Sequence, residues 1–217
     1  MTDFATARRM MVDCQLRPSE VTDPNVITAI LEVPRERFVP PALANLAYLD
    51  RDVAVDGERV MLKPMVLARL IQALELGPDA RVLDVACGTG YAAAILARLG
   101  HTVVALDDDP PRAKRCGALL GELGTTNVSM VCGPLEAGWP ALAPYDAILV
   151  NGAFEVEPRN LFQQLKDGGR LAGILGGAPV GKAMIYRKDR GEIGGRALFD
   201  AAAPLLPAFV PAPAFVF

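Results

Sequence analysis

The chain is poor in the residues from which nucleophilic triads and most metal centres are built. Its 217 residues hold one histidine, His101. A catalytic triad or zinc cluster would have to form around that imidazole, which follows a glycine at a helix-to-strand turn and reads as surface. The four cysteines, Cys14, Cys87, Cys116 and Cys132, form no C-x-x-C pair. The N-terminal stretch does not read as a signal peptide, so free thiols in a reducing cytoplasm are expected. Positive charge is not in excess either. A net charge of −3 gives no broadly basic surface for nucleic acid. No uninterrupted apolar run is long enough to span a membrane. The tail over 201–217 comes closest, but Pro204, Pro207, Pro211 and Pro213 break it.

Apolar side chains are plentiful. Hydrophobic residues make up 52% and charged ones 22%, which is globular rather than disordered composition. The length suits one domain, or one domain with a small appendage, around a sizeable core.

The stretch Arg81-Val-Leu-Asp-Val-Ala-Cys-Gly-Thr-Gly90 organises the rest. Its first half reads as a buried strand of a parallel sheet. An amphipathic helix from Tyr91 follows and should stop at Gly100, a C-terminal cap. Between them, Gly88 and Gly90 let the backbone approach a ligand and aim amide groups at it. The literal pattern Gly88-Thr-Gly90-Tyr-Ala-Ala93 matches a dinucleotide fingerprint, with Asp107 as ribose acid. Asp84 argues against a dinucleotide, because an acid beside a pyrophosphate is repulsive. S-adenosylmethionine carries an ammonium, a sulfonium and one carboxylate. Asp84 can take the ammonium while the turn amides take the carboxylate, so the acid favours the methyl donor.

The remaining chain divides in two. Residues 1–80 read as an N-terminal helical extension, a substrate-side cap that the strand–helix core does not require. One helix, capped by Thr2 or Asp3, presents Phe4, Ala7, Met10, Met11 and Cys14 as its apolar stripe and ends before Arg17-Pro18. Asp23-Pro24 opens a second, with Val26, Ile27, Ile30 and Leu31 inward, and Pro34 closes it. Residues 35–41 and 47–61 read as irregular with short extended pieces. Pro64 opens a third helix through Leu76, ended by Gly77-Pro78. Arg8, Arg9 and the other N-terminal charges read as a solvated face.

Residues 81–217 alternate strand and helix: strands over 102–106, 127–132, 146–150 and 170–175, helices over 111–123 and 158–166. Such alternation predicts an α/β fold with a doubly wound, mostly parallel sheet binding ligands at the carboxyl ends of its strands. Segments 183–188 and 196–199 flank a Gly-rich turn and predict an antiparallel C-terminal hairpin on the sheet edge. The two parts make one compact unit.

With these pieces placed, the sequence resembles the protein-L-isoaspartate O-methyltransferase family, from about Met10 to the hairpin. The resemblance rests on Val12-Asp-Cys-Gln-Leu-Arg17, Val33-Pro-Arg-Glu-Arg-Phe-Val-Pro40, Ala47-Tyr-Leu-Asp50 and the Asp84–Gly90 turn. Gly138-Trp-Pro140, Ala143-Pro-Tyr-Asp146 and Gln164-Leu-Lys-Asp-Gly-Gly-Arg170 extend it. It implies a seven-stranded Rossmann-like methyltransferase sheet and a cytoplasmic enzyme. That enzyme uses S-adenosyl-L-methionine to esterify abnormal L-isoaspartyl carboxylates, the start of their repair. The implied donor site is Asp84, Ala86, Cys87, Gly88, Thr89, Gly90, Asp107, Asp108, Pro134, Leu135 and Asn151. The implied partner is a protein or peptide carboxylate, or a small molecule, with no metal, nucleic acid or membrane.

Several family positions have changed. Where members carry G-x-G-Q-T-I-S-Q-P, this chain has Asp56-Gly-Glu-Arg-Val-Met-Leu-Lys-Pro64. The threonine becomes Val60, the active-site serine Leu62 and the glutamine Lys63. The adenine-contacting Gly-Asp-Gly becomes Gly133-Pro-Leu135, and the first glycine of the donor turn is Ala86. A carboxylate nucleophile is already ionised at neutral pH, so a serine there positions rather than activates. Leu62 cannot hydrogen-bond, whereas Arg59 or Lys63 can hold a carboxylate by charge. Three functions are therefore compatible with the sequence: isoaspartyl methylation, methylation of another acceptor, and donor binding without catalysis. Cys87 reads as a small residue in a tight turn, and Tyr91 as a packing residue at the helix start.

Overall fold

The computed structural model describes residues 3–57, 59–77, 79–100 and 102–211. Thr2 as a cap, Pro78 as a helix stop, His101 and the end of the tail lie outside the described residues.

The strands follow from the apolar runs. β1 (Val53–Asp56) and β2 (Arg59–Met61) form a small antiparallel hairpin. β3 (Arg81–Val85), β4 (Thr102–Asp107), β5 (Val128–Cys132), β6 (Tyr145–Phe154), β7 (Leu165–Leu175), β8 (Lys182–Asp189) and β9 (Glu192–Asp200) form a seven-stranded sheet. Its order is β5-β4-β3-β6-β7-β8-β9, parallel from β5 to β7 and antiparallel at β8 and β9. The expected α/β sheet and edge hairpin are both present. The order in which strands are added reverses between β3 and β6, which opens a crevice at their carboxyl ends.

Alternation along the central strands buries both faces. Val82, Ala105 and Leu149 belong to one apolar cluster, and Leu83, Val85, Leu106 and Val150 to the other. α1 (Phe4–Met11), α2 (Pro24–Glu32), α3 (Pro64–Ala73) and α4 (Tyr91–Arg98) contribute to the first cluster, with Cys116 and Leu120 of α5 (Pro110–Glu122). The short α6 (Arg159–Gln163) contributes Leu161 and Phe162 to the second. Residues of the 1–80 segment thus share one continuous core with the face that carries the glycine turn.

Local departures from expectation have local causes. Asp3 caps α1, its Oδ1 accepting from the Ala5 and Thr6 amides. A wider helical turn over Val12–Leu16 follows. It shifts the helical phase, so Val12 and Leu16 turn inward while Met10, at 59% exposure, and Cys14 face out. Arg8 is not on a solvated face. It donates to the Tyr48 hydroxyl, the Leu31 carbonyl and Glu36. The helix expected over 158–166 stops at Gln163, because Tyr145 donates its amide to the Gln164 carbonyl and draws the following residues into pairing with β6. Lys166 then pairs with Asp146 at 2.7 Å.

The tail closes the crevice. Its residues pair with the far end of β6: Ala153 N–H donates to the Pro204 carbonyl and Leu206 N–H to the Ala153 carbonyl. Leu206 and Phe209 are buried. A Cβ on Gly152 would lie 2.7 Å from Leu206 Cγ, so only glycine lets the tail lie this close.

Candidate functional site

Asp84 is the penultimate residue of β3, and Asn151 lies two residues past its partner Leu149 on β6. The two meet across the switch point, where Asn151 Nδ2 donates to Asp84 Oδ1. Asp84 is fully buried, and among the described residues its Oδ2 has no hydrogen-bond partner. Burial pushes this carboxyl well above the ordinary range, and the nearby Asp107 carboxylate adds to the shift. A buried acid with one free oxygen is a receptor for a cation.

The turn after β3 is held by its own backbone and by Asp107. Gly90 N–H donates to the Cys87 carbonyl at 2.9 Å, and Gly88 N–H to Asp107 Oδ2 at 2.9 Å. Ala86 has φ +60°, a left-handed backbone unusual for alanine. Gly90, at φ +92°, must be glycine for a second reason: a Cβ there would lie 2.6 Å from Cys116 Sγ. Cys87 is buried. Its contact with Cys116 and its burial raise the thiol well above its usual value, which suits packing rather than nucleophilic attack. Tyr91 packs its buried ring edge-on against Phe38 at 5.4 Å.

Asp107 is fully buried and heavily engaged. Oδ2 takes the Gly88 amide, while Oδ1 takes Arg112 Nε at 2.8 Å and the Asp109 amide at 3.2 Å. Arg112 also reaches Asp108 at 2.9 Å, and Arg59 Nη2 donates to the same Asp108 oxygen at 2.7 Å. Burial works to raise the Asp108 carboxyl, but the Arg59 charge and hydrogen bond outweigh it and hold it below the ordinary carboxylate value. Arg115 pairs with Asp56, so the β1–β2 hairpin is tied to α5 through β1 and to the loop ahead of α5 through β2.

Two cavities follow. A small one of about 20 Å³ lies against the glycine turn and is lined by Arg59, Val60, Leu62, Gly88, Thr89 and Asn151, among others. A larger one of about 220 Å³ shares Arg59, Val60 and Asn151 with it and adds Asp108, Arg112 and the tail residues 204–207. The chemistry of the donor set fits S-adenosylmethionine: an orphan buried carboxylate oxygen for the ammonium, beside a glycine turn open to close approach. The room is smaller than a typical cofactor pocket, because Arg59 and Val60 of the hairpin occupy it.

Of the residues expected from sequence, Ala86, Cys87, Gly88, Thr89, Asn151 and Arg59 line these cavities, and Asp84 joins them only through its hydrogen bond from Asn151. Gly90 supports the turn from beneath, and Asp107 and Asp108 form its edge. Leu135 is buried in the second apolar cluster, and neither it nor Pro134 lines the two cavities. Lys63 does not line them either. Its amide donates to Asp52 Oδ1 at 2.7 Å, just ahead of α3. Leu62 is 2% exposed, and its carbonyl accepts from the buried Arg35 at 2.6 Å. Arg112 was missed, although its spacing from Asp108 of four residues at a helix start was the available signal. The tail residues carried no readable signal.

The sheet order, the edge hairpin and the acid over a glycine turn define an S-adenosylmethionine-dependent methyltransferase. Among such enzymes, the chain belongs to the protein-L-isoaspartate(D-aspartate) O-methyltransferase family, whose profile matches residues 7–198. It is 43% identical over 190 residues to the protein-L-isoaspartate O-methyltransferase of Methylorubrum extorquens strain PA1, covering 88% of this chain and 82% of that one. It is 37% identical over 182 residues to that of Methanoregula boonei, covering 84% of each. A solved protein-L-isoaspartate O-methyltransferase superposes with a TM-score of 0.79 at 27% identity, over 92% of this chain. The chain spans 65% of that protein's length. The fold of a Plasmodium falciparum relative solved with S-adenosyl-L-homocysteine matches equally, at TM-score 0.79 and 18% identity, over 96% of this chain and all of that one.

Proposed function

We infer that this protein is an S-adenosylmethionine-dependent carboxyl O-methyltransferase that esterifies L-isoaspartyl residues, the entry step to their repair. The unpartnered Asp84 oxygen beside the Gly88–Gly90 turn, in a chain of this family, carries the reading. Bound there, S-adenosylmethionine supplies an electrophilic methyl group that a carboxylate oxygen can take as an ester with no proton transfer. The protein therefore has to orient and to exclude water. Asp84, oriented by Asn151, holds the ammonium. Ala86, Cys87, Gly88, Thr89 and Gly90 shape the turn against which the donor lies, with the Cys87, Gly88 and Gly90 amides already spent on holding it. Asp107 is not free to take a ribose and instead braces the turn through the Gly88 amide, while Asp108 borders the larger cavity. Pro134 and Leu135, away from both cavities, have no part in the reading. The β1–β2 hairpin of the 1–80 cap covers the reacting atoms, and residues 81–217 carry the donor. The acceptor is a protein or peptide carboxylate, and metal, nucleic acid and membrane have no part in the reading. Four free cysteines fit a cytoplasmic location, and among the described residues no helix is long and apolar enough to cross a membrane.

Labelled methyl transfer to an isoaspartyl peptide, scored as base-labile ester against the same peptide with normal aspartate, tests this. Selective labelling is expected. A preparation that binds the donor by calorimetry yet labels neither peptide would overturn the isoaspartyl assignment. Leu62, an apolar and packed residue in the loop beside the turn, favours a second reading in which the same donor site serves a different carboxylate.

A further inference from the structure

Two unsatisfied side-chain groups, an acid and a base, flank the glycine turn. Asp84 Oδ2 is one. The other is Nη1 of Arg59, which is buried with no hydrogen-bond partner among the described residues. The Arg59 side chain is 12% exposed. Its Nη2 is spent on Asp108, whose position is set in turn by Arg112, and Arg112 is set by Asp107. This chain of alternating charges fixes the guanidinium at the boundary between the cavity at the turn and the larger one walled by the tail. A buried guanidinium N–H without an acceptor is costly, and a carboxylate is the acceptor it matches best.

We propose that Arg59, through Nη1, holds the carboxylate of the methyl acceptor. The proposal rests on the carboxyl-methylation reading above. Position 62 cannot supply that contact, since its side chain is apolar and packed and its backbone is held by Arg35. Arg59 borders the cavity away from the turn as well as the one beside it, on the side that the tail walls. That cavity, about 220 Å³ with Leu205, Leu206 and Pro207 as its apolar wall, has room for one side chain and its adjoining backbone. Charge sets the kinetic signature. Methylation removes the negative charge that Arg59 grips, so the guanidinium favours bound acceptor over the transition state and releases the neutral ester. It tightens acceptor binding without speeding the chemical step.

Calorimetry with an isoaspartyl peptide and protein loaded with S-adenosylhomocysteine tests this without turnover. Arg59→Ala should weaken peptide binding about tenfold to a hundredfold while leaving S-adenosylhomocysteine affinity within about threefold. Arg59→Lys should recover part of the loss. In turnover, KM should rise and kcat stay within about threefold. Unchanged peptide affinity in Arg59→Ala would overturn the proposal. So would an equal loss of S-adenosylhomocysteine affinity, which would assign Nη1 to the donor carboxylate. Succinate, a minimal carboxylate probe, separates this from the wider reading. If the wild type binds succinate but not the peptide, and Arg59→Ala loses succinate, Arg59 stands and isoaspartyl specificity falls. If neither probe binds, both fall.

Discussion

The Arg35 guanidinium lies 4.7 Å from the centroid of the Tyr91 ring, and both side chains are buried. Arg35 donates to the carbonyls of Ala47 and Leu62, each at 2.6 Å, and faces the first residue of α4. One fully buried cation therefore joins the acceptor-side loop to the helix that follows the donor turn. Burial pulls its pKa below the usual arginine value, and the ring and the two carbonyls take the place of an ion pair, of which it has none among the described residues. Arg35→Ala should cost about 3–5 kcal/mol, from two stranded carbonyls and a cavity. Arg35→Lys should recover little, because one ammonium cannot reproduce the fork. Thermal unfolding of the two variants checks this, with about 2–4 °C lost per kcal/mol.

As the proposed receptor for the donor ammonium, Asp84 should make donor binding depend on pH. Its folded-state carboxyl sits well above the ordinary value of 3.8, because burial and Asp107 disfavour the charge. The folded protein thus holds a proton that the unfolded chain releases, and stability falls as pH rises through the folded pKa. An ammonium at Oδ2 reverses that preference, so donor binding below that pKa releases a proton and affinity rises with pH. Calorimetry in buffers of different ionisation enthalpy would count the proton. Asp84→Asn should raise the melting temperature of the free protein at pH 8 and weaken donor binding at least tenfold. A variant that melts lower and still binds would contradict the assignment.

Ala86 holds a left-handed backbone at φ +60°. For an L residue that conformation costs about 1–2 kcal/mol, of which glycine returns about 0.5–1 kcal/mol through its floppier unfolded chain. Ala86→Gly should therefore stabilise the protein by up to about 1 kcal/mol and leave donor affinity within about twofold. Ala86→Val should destabilise it, since a β-branched residue tolerates this region worst. Urea titration of both variants gives the sign.

Gly152→Ala places a methyl 2.7 Å from Leu206. The tail has to shift, and the wall it gives to the 220 Å³ cavity goes with it. Acceptor KM should rise about tenfold or more, with donor affinity changed less than threefold. Equal damage to both would mean that the strand end itself had moved.

The parallel core was legible because its signals are local and mutually consistent. Val82, Leu83, Val103, Val104, Ile148 and Leu149 form short apolar runs between glycine turns, and both faces of those strands are buried. Asp84 could be read for the same reason, as an acid within such a run just ahead of Gly88. The engagement of Asp107 could not. Its partner Arg112 comes from the next element, and only the turn geometry between them makes the pair. Arg59 was visible as a candidate, but the difference between it and Lys63 depends on which way a hairpin strand faces. The phase shift after Met11 was illegible as well, since residues 4–14 fit an ordinary helix until Val12 and Leu16 compete for the core.

The cavity wall is drawn from opposite ends of the chain: Asp56 and Arg59 on the early hairpin, and 204–207 after the last strand. During synthesis the donor turn can fold well before the ribosome has made its other border. A nascent chain that has emerged only through β9 would have its glycine turn but no closed acceptor chamber. Competence to modify other proteins, including neighbouring nascent ones, would then begin only when the tail docks on β6.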